Sequence, residues 1–250
     1  MSSNDLAGRG GGAEDFTSIP SRSLLGARIL LVGASGGIGR PLAAALAGRG
    51  ARLAVAGRDT GRLDALGVGA VTALSFDLAN DAAAPGLVAA ASEALGGLDG
   101  VVCCAGAVAF GSLGETPIDV LRTIVFVDLV GPLLLARAAI PVLPAGGFVL
   151  NVSGAIAELP TAGLVPYSAA KAGISAGFRA LAREVRSRGV SVIDARPPHT
   201  ETGFASRGLY GEPPKMRTGL DPAAVAERLV LAIEQDERDV PASAFGQRRD

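Results

Sequence analysis

Tyr167 and Lys171, four positions apart, form the pair of residues with the clearest potential for chemistry in this sequence. At the start of a predicted helix, this spacing puts both side chains on one helical face. A phenol ordinarily titrates at about pH 10, and a neighbouring ammonium favours its ionised form. The pair therefore predicts a tyrosine that exchanges protons with a substrate, assisted by the lysine.

The scarcity of both residue types makes a chance match rare. The chain has 23 basic residues, of which only Lys171 and Lys215 are lysines, and it has two tyrosines. A Tyr-x-x-x-Lys spacing would then arise by chance with odds of roughly two in a hundred. Arginine could not serve as a tunable point charge in the same way, so a lysine here indicates a specific role.

A glycine-rich turn from Gly33 to Gly39 follows an apolar run and precedes a predicted helix. Backbone without side chains can approach a phosphate closely, and the free N–H groups and positive end of the next helix attract its charge. In this position the turn predicts a dinucleotide-binding loop. The residues predicted to contact the cofactor there are Gly33, Ser35, Gly36, Gly37, Ile38 and Gly39.

The end of the second predicted strand bears on the choice of cofactor. An NAD site usually has a carboxylate there, whereas this chain has Gly57 followed by Arg58. A guanidinium forms paired hydrogen bonds with a 2′-phosphate, so Arg58 predicts NADP(H). NAD(H) is the alternative, because Asp59 could reach the ribose. Asp77 and Leu78 end the third strand, where the adenine would lie.

Short apolar runs alternate with helical stretches along the chain. This alternation predicts an α/β fold, a three-layer doubly wound parallel sheet of the Rossmann type with about seven strands. Ligands then bind beyond the carboxyl ends of the strands. Strands are predicted over 27–32, 52–56, 71–76, 100–104, 147–152, 190–195 and 240–245. Helices are predicted over 39–49, 82–95, 118–140, 167–188 and from the cap Asp221 onward.

Composition predicts one folded unit. Residues 1–22, rich in Gly, Ser and Asp, predict a disordered leader, and residues 23–250 a single dinucleotide-binding domain. Between about 203 and 219, Gly and Pro accumulate and apolar residues are few. That segment predicts either a mobile lid or a disordered stretch.

Charge and cysteine usage narrow the class of protein. The formal net charge of −1 gives no strong field for nucleic acid or a membrane. We expect no apolar run long enough to cross a bilayer and no signal peptide, hence a cytoplasmic protein. The adjacent Cys103 and Cys104 cannot build a disulfide framework. Because His199 is the only histidine, no metal site is predicted.

Three motifs together resemble the short-chain dehydrogenase/reductase family, in its shorter single-domain branch. The resemblance extends from about Leu24 to the C-terminus. The motifs, in chain order, are Gly33-x-x-x-Gly37-x-Gly39, a strand that ends in Ala105-Gly106, and Tyr167-x-x-x-Lys171.

The resemblance implies hydride transfer between the cofactor and a small-molecule carbonyl or alcohol. Tyr167 would be the proton donor or acceptor and Lys171 its support. It also implies a homodimer or homotetramer, built through the helix with the Tyr-Lys pair and the preceding long helix. Further cofactor contacts implied by the family pattern are Cys104, Ala105, Gly106, Pro197, Thr200 and Thr202.

Two positions depart from the family pattern. The catalytic serine expected thirteen residues before Tyr167 is Gly154, and the helix asparagine of the proton relay is Asp128. A substrate hydroxyl, a water or Ser153 could supply the missing donor. Neighbouring strand residues face opposite sides, so Ser153 substitutes only if the strand end is bulged or twisted.

Functions of different kinds follow from these residues. The leading one is an NADP(H)-dependent ketoreductase or alcohol dehydrogenase that interconverts a ketone and a secondary alcohol. The alternative, motivated by Gly154 and Asp128, is a cofactor-binding relative without turnover, regulatory or structural. A nucleotide-sugar epimerase or dehydratase also fits the spacing Gly33-x-x-Gly36-x-x-Gly39, but the chain is short for its substrate domain.

Overall fold

The computed structural model describes residues 22–246, which form one seven-stranded parallel sheet. The strand order is β3-β2-β1-β4-β5-β6-β7, with the order reversing between β1 and β4. Near-continuous apolar runs suit strands that are covered on both faces. The predicted doubly wound Rossmann-type fold is confirmed. The strands are β1 Arg28–Val32, β2 Arg52–Gly57, β3 Thr72–Ser75, β4 Gly100–Cys103, β5 Phe148–Val152, β6 Ser191–Ala195 and β7 Asp239–Val240.

Helices cover both faces of the sheet. One face packs against α1 and α7, and the other against α3, α5 and α6, so that two apolar cores lie on either side of the strands. The last helix begins as the sequence predicts, because the carboxylate of Asp221 accepts a hydrogen bond from the Ala223 N–H at 3.2 Å. The helices are α1 Gly39–Gly48, α2 Thr60–Asp64, α3 Ala83–Leu95, α4 Ile118–Val125, α5 Gly131–Ala139, α6 Val165–Glu184 and α7 Pro222–Glu234.

The helix predicted over 118–140 is continuous but irregular in its middle. A π turn, Phe126–Val130, joins α4 to α5, and the Gly131 N–H bonds to the carbonyl of Phe126, five residues back. The turn contains Asp128, whose side chain is fully buried. Single π turns within helices often mark functional sites.

The same helical stretch corrects one expectation. Ile118–Val142 is 25 residues long with a mean hydropathy of 1.9 in its most apolar window, enough by length and composition to cross a membrane. The expectation that no apolar run reaches that length was therefore wrong. In the fold this stretch packs against α3 and α6, and such a position also favours an apolar helix.

Several predicted boundaries shift. Residues 1–21 of the predicted leader lie outside the described residues, but Arg22 belongs to the fold, since its guanidinium pairs with Asp236 at 3.0 Å. The short helix α2 was not predicted. The predicted strand over 240–245 ends at Val240, because Pro241 has no N–H for the ladder, and a 3-10 turn Ala242–Ala244 follows.

The segment 203–219 has defined contacts. It contains a 3-10 turn, Ala205–Arg207, and its backbone pairs with the loop after β4. Leu209 donates its N–H to the Val108 carbonyl at 2.7 Å, and Tyr210 accepts from the Phe110 N–H at 2.9 Å. The segment thus lies over the carboxyl end of β4, where a lid would lie.

Candidate active site

Helix α6 brings Tyr167 and Lys171 to the carboxyl end of the sheet. Pro166 occupies its first turn, where the missing N–H costs nothing, so the pair lies in the first two turns of the helix. The Lys171 ammonium lies 5.8 Å from the centroid of the Tyr167 ring. Lys171 is buried and Tyr167 half-buried. The predicted meeting of a phenol and an ammonium is present.

Two acceptors hold the Lys171 ammonium. It donates to the Val152 carbonyl at the end of β5 at 3.0 Å, and it pairs with the carboxylate of Asp128 at 3.1 Å. An ammonium has three N–H bonds, so these contacts leave one for a further acceptor.

Asp128 and the residues after β4 form the floor of the site. The Asp128 carboxylate also accepts from the Ala107 N–H at 3.2 Å. A Cβ on Gly106 would lie 2.8 Å from an Asp128 carboxylate oxygen and 3.5 Å from the Lys171 ammonium, so this position requires glycine. Sequence reasoning placed Asp128 at a family position but missed its ion pair. The signal that could have indicated the ion pair is a carboxylate in an otherwise apolar helical run.

Burial decides the protonation of the tyrosine. It raises the pKa of Tyr167 to about 12, while Lys171 lowers that pKa and Asp128 raises it further. Lys171 thus lowers the pKa of Tyr167 in the predicted direction, but burial outweighs this effect and the net pKa is raised. Burial also lowers the pKa of Lys171, but the neighbouring groups, Asp128 first among them, together raise that pKa more, and the side chain stays an ammonium.

Ser153 does not face this site. Its hydroxyl is fully buried and donates to the carboxylate of Asp194 at 2.6 Å, as does the Ser175 hydroxyl of α6 at the same distance. The hypothesis that Ser153 supplies the missing donor is thus contradicted. Gly154, at the family's serine position, has a glycine-only backbone with φ +80° and ψ 158°. It contributes no side-chain donor.

The glycine loop packs tightly against the segments that follow β4 and β6. Gly33 has φ +83°, and a Cβ there would lie 2.7 Å from the Ala105 nitrogen. A Cβ on Gly37 would lie 2.2 Å from the Cβ of Thr202. The structure therefore brings the loop together with Ala105 and Thr202, as the predicted cofactor contacts require.

The start of α1 fits a pyrophosphate. Ile38 precedes the helix and has no side-chain cap. Within residues 22–246, the N–H groups of Gly37 and Ile38 have no hydrogen-bond acceptor. Free donors beside the positive end of a helix are the common features of a phosphate site.

The adenosine end of the loop is basic. Arg58 is exposed just beyond β2. Arg62, which the sequence reasoning missed, donates to the Ser35 carbonyl at 3.1 Å, and the Ser35 hydroxyl lies 3.6 Å from where a Cβ on Gly57 would be. The Asp59 carboxylate instead caps α2 by accepting from the Arg62 N–H at 3.1 Å.

The remaining predicted cofactor contacts lie in loops that follow the strands. The Asp77 carboxylate accepts from the Ala79 N–H at 3.0 Å, and Leu78 is buried against Gly131 at the start of α5. The Thr200 hydroxyl donates to the Pro198 carbonyl at 2.9 Å.

Pro197 and Cys104 are each held by hydrogen bonding. The Pro197 carbonyl accepts from the Ala155 N–H at 2.9 Å, and the Cys104 thiol donates to the Val32 carbonyl at 3.2 Å. Burial raises the pKa of Cys103 to about 11 and raises that of Cys104 as well, so both thiols stay protonated.

Residues 27–208 match the family described as short chain dehydrogenase. The chain belongs to this family. It is thereby an oxidoreductase, and the predicted family and fold are confirmed.

Relatives and solved structures agree with this assignment. A glycine betaine reductase from Emericella nidulans is 33% identical over 241 residues, 89% of this chain but only 19% of that protein. An uncharacterized oxidoreductase from Staphylococcus aureus is 28% identical over 82% of this chain and 90% of its own. A short chain dehydrogenase from Burkholderia cenocepacia, solved in complex with NADP, superposes with a TM-score of 0.78 at 27% identity, over 90% of this chain and 100% of its own.

Proposed function

We propose that this short-chain dehydrogenase uses NADP(H) to interconvert a ketone and a secondary alcohol. The observation that carries the proposal is the Tyr167 phenol beside the buried Lys171 ammonium, at the end of the sheet where the glycine loop, β4 and β6 converge. Ligands of open α/β sheets bind at this edge, next to the point where the strand order reverses.

The cofactor assignment is supported by the loop and its charges. The free N–H groups of Gly37 and Ile38 would hold the pyrophosphate, and Arg58 the 2′-phosphate. The similar Burkholderia protein is in complex with NADP. NAD(H) is the alternative, although Asp59 is already used as a helix cap. When bound, the nicotinamide donates or accepts the hydride.

Tyr167 exchanges the proton in this mechanism. In reduction its phenol donates to the carbonyl oxygen, and in oxidation the phenolate accepts the proton of the alcohol. Lys171, fixed by Asp128 and the Val152 carbonyl, keeps one N–H for a cofactor hydroxyl. Because Gly154 lacks a hydroxyl, a water or a substrate hydroxyl completes the hydrogen bonding. A missing donor of this kind costs about a hundred- to a thousand-fold in comparable sites.

The wall opposite the phenol is apolar and points to an apolar substrate. The Phe204 ring lies 6.2 Å from the Tyr167 ring, centroid to centroid, and Tyr210 packs with Tyr167 beside Ile124. Both aromatic residues of this wall belong to the segment 203–219. We expect a ketone with an apolar substituent, shielded from water by Phe204.

Assembly and location complete the proposal. A homodimer or homotetramer would cover the exposed Ile118 and Leu133, on α4 and α5, and Val165 on α6. Gly177 of α6 already packs within the subunit, since a Cβ there would lie 3.4 Å from Leu133. We place the protein in the cytoplasm, with no nucleic-acid or membrane partner.

The test is a ketone screen that compares the parent protein with Tyr167→Phe, following the oxidation of NADPH. The variant should retain NADPH affinity and lose about a hundred- to ten-thousand-fold in kcat/KM. Tyr210→Phe is the matched control: it keeps the aromatic ring of the wall and removes only a hydroxyl that takes no part in proton exchange, so it should keep most of the activity.

Cofactor choice is measured in the same proteins by titration with NADPH and NADH. Arg58→Ala should weaken NADPH binding about tenfold and leave NADH binding unchanged. Equal ketone reduction by the parent and Tyr167→Phe would refute the proposed mechanism. NADPH binding without turnover across a broad panel of ketones would favour the alternative, a regulatory or structural protein.

A further inference from the structure

Both members of the Asp128–Lys171 ion pair are buried. The side chains are 0% and 5% exposed and their charged atoms lie 3.1 Å apart. Water and salt screen a pair in this position much less than they screen a pair on the surface. From outside the pair, the positive field of the ammonium is therefore largely cancelled by the carboxylate.

This cancellation bears on Tyr167, which lies against the same ammonium. A lysine beside a tyrosine ordinarily acts as the charge that promotes ionisation of the phenol. We propose that Asp128 is a positioning residue that neutralises Lys171 and so prevents the ammonium from offsetting burial, which leaves Tyr167 a protonated phenol over the ordinary pH range. The inference rests on the proposed function, in which Tyr167 exchanges the proton.

Among the groups around the Tyr167 phenol, Asp128 is the one whose charge opposes that of Lys171. Within residues 22–246, Lys171 and Asp128 are the charged side chains that act on Tyr167. At the end of β4, Cys103 is buried and Cys104 half-buried, and burial raises the pKa of both thiols, so both are neutral. Tyr210 of the segment 203–219 packs against the same apolar cluster as Tyr167, and Val152 at the end of β5 contributes a backbone carbonyl that accepts from Lys171.

The directions of the shifts agree with this geometry. Burial raises the pKa of Tyr167 to about 12, and within the remaining effects Asp128 acts against Lys171. The pair is also built into the backbone, because the Ala107 N–H donates to the Asp128 carboxylate and Gly106 leaves room for it. A carboxylate so held keeps its distance from the ammonium fixed.

Asp128 should therefore affect the pH range over which the enzyme reduces its substrate. It cannot alter the overall equilibrium of the reaction, because no catalyst does. In reduction the O–H bond of Tyr167 breaks and its proton goes to the carbonyl oxygen, while the hydride from NADPH goes to the carbonyl carbon. The protonated phenol must be present, so reductive kcat/KM should stay level to at least about pH 10. With Asp128→Asn the decline should begin at lower pH.

The composition allows a direct spectroscopic test. The chain has two tyrosines and no tryptophan, so Tyr210→Phe leaves Tyr167 as the one phenol whose ionisation is seen by ultraviolet absorbance. In that background, adding Asp128→Asn should lower the ionisation midpoint of Tyr167 by about one pH unit or more, a tenfold gain in phenolate at a given pH. An unchanged or higher midpoint would overturn the inference.

A second measurement covers the case in which Asp128→Asn does not fold. In Tyr210→Phe alone, native protein should show no phenolate absorbance up to about pH 10. A midpoint below that value would also overturn the inference. Neither titration needs a substrate, so the result is independent of the ketone screen. An inactive parent protein would refute the proposed function and leave the titration of Tyr167 to decide on Asp128.

Discussion

Gly106 is the residue whose missing side chain leaves space for the Asp128–Lys171 ion pair. A Cβ there would lie 2.8 Å from an Asp128 carboxylate oxygen, closer than carbon and oxygen normally approach. We expect Gly106→Ala to displace Asp128, to destabilise the protein by about 1–3 kcal/mol and to lower ketone reduction. Urea unfolding and steady-state kinetics measure the two effects.

Gly114→Ala is the matched control for this substitution. It lies in the same connection between β4 and α4, and a Cβ there has no heavy atom within 4 Å. Its stability should change by less than about 0.5 kcal/mol. Equal effects of the two substitutions would mean that Gly106 matters only for the flexibility of the loop.

Single residues of the site were predictable to different degrees. Tyr167 and Lys171 were found because their spacing fixes a shared helical face, a local property. The ion pair of Asp128 with Lys171 and the raised pKa of Tyr167 both depend on burial. Elements that are distant in the sequence produce this burial, so the spacing of residues does not encode it. Ser153 was misassigned because its direction depends on the geometry of the strand end, and its hydroxyl bonds to Asp194.

At the scale of elements, α3 offers two glycines with opposite roles. Gly86 lies exposed within the helix with no neighbour within 4 Å of a Cβ, whereas Gly96 ends it with φ +75°. Gly86→Ala should stabilise the protein by about 0.5–1 kcal/mol, because alanine loses less backbone entropy in a helix. Gly96→Ala should destabilise it by about 1 kcal/mol, since alanine is strained at that φ.

Thermal and urea unfolding of these two variants, made separately, check the signs. Both variants change a glycine of the same helix to alanine, so a difference between their stabilities cannot come from the type of substitution. Destabilisation by Gly86→Ala would contradict the assigned exposure, and stabilisation by Gly96→Ala would contradict the left-handed end of the helix.

Helices and strands whose apolar residues follow a clear pattern were predicted well, and irregular elements were not. Five strands, β1, β2, β4, β5 and β6, follow buried apolar runs, and the helix boundaries differ by a few residues. The short helix α2 has only one buried residue, Leu63, so no periodic pattern announces it. The π turn at Phe126–Val130, which is apolar except for Asp128, packs against α6, and no periodic pattern in the sequence marks it.

Across the whole molecule, the Arg196 guanidinium joins segments that are distant in the sequence. It lies just after β6 and pairs with Asp194 at 2.7 Å, with Asp239 of β7 at 2.7 Å, and with Glu158 after β5. Asp194 also accepts the hydroxyls of Ser153 and Ser175. The network ties the sheet edge to the loop that follows Gly154 in the candidate site.

Removal of this guanidinium should cost more than removal of any surface arginine. Arg196 and Asp194 are buried, and Arg196→Met would leave the Asp194 carboxylate without its counter-charge in the interior. Uncompensated buried charges of this kind cost about 3–5 kcal/mol, which urea unfolding would measure. Arg183→Met, at an exposed position of α6, changes the same charge and should stay within about 0.5 kcal/mol. Similar losses in both variants would show that net charge, and not the buried pairing of Arg196 with β6, β7 and the loop after β5, determines stability.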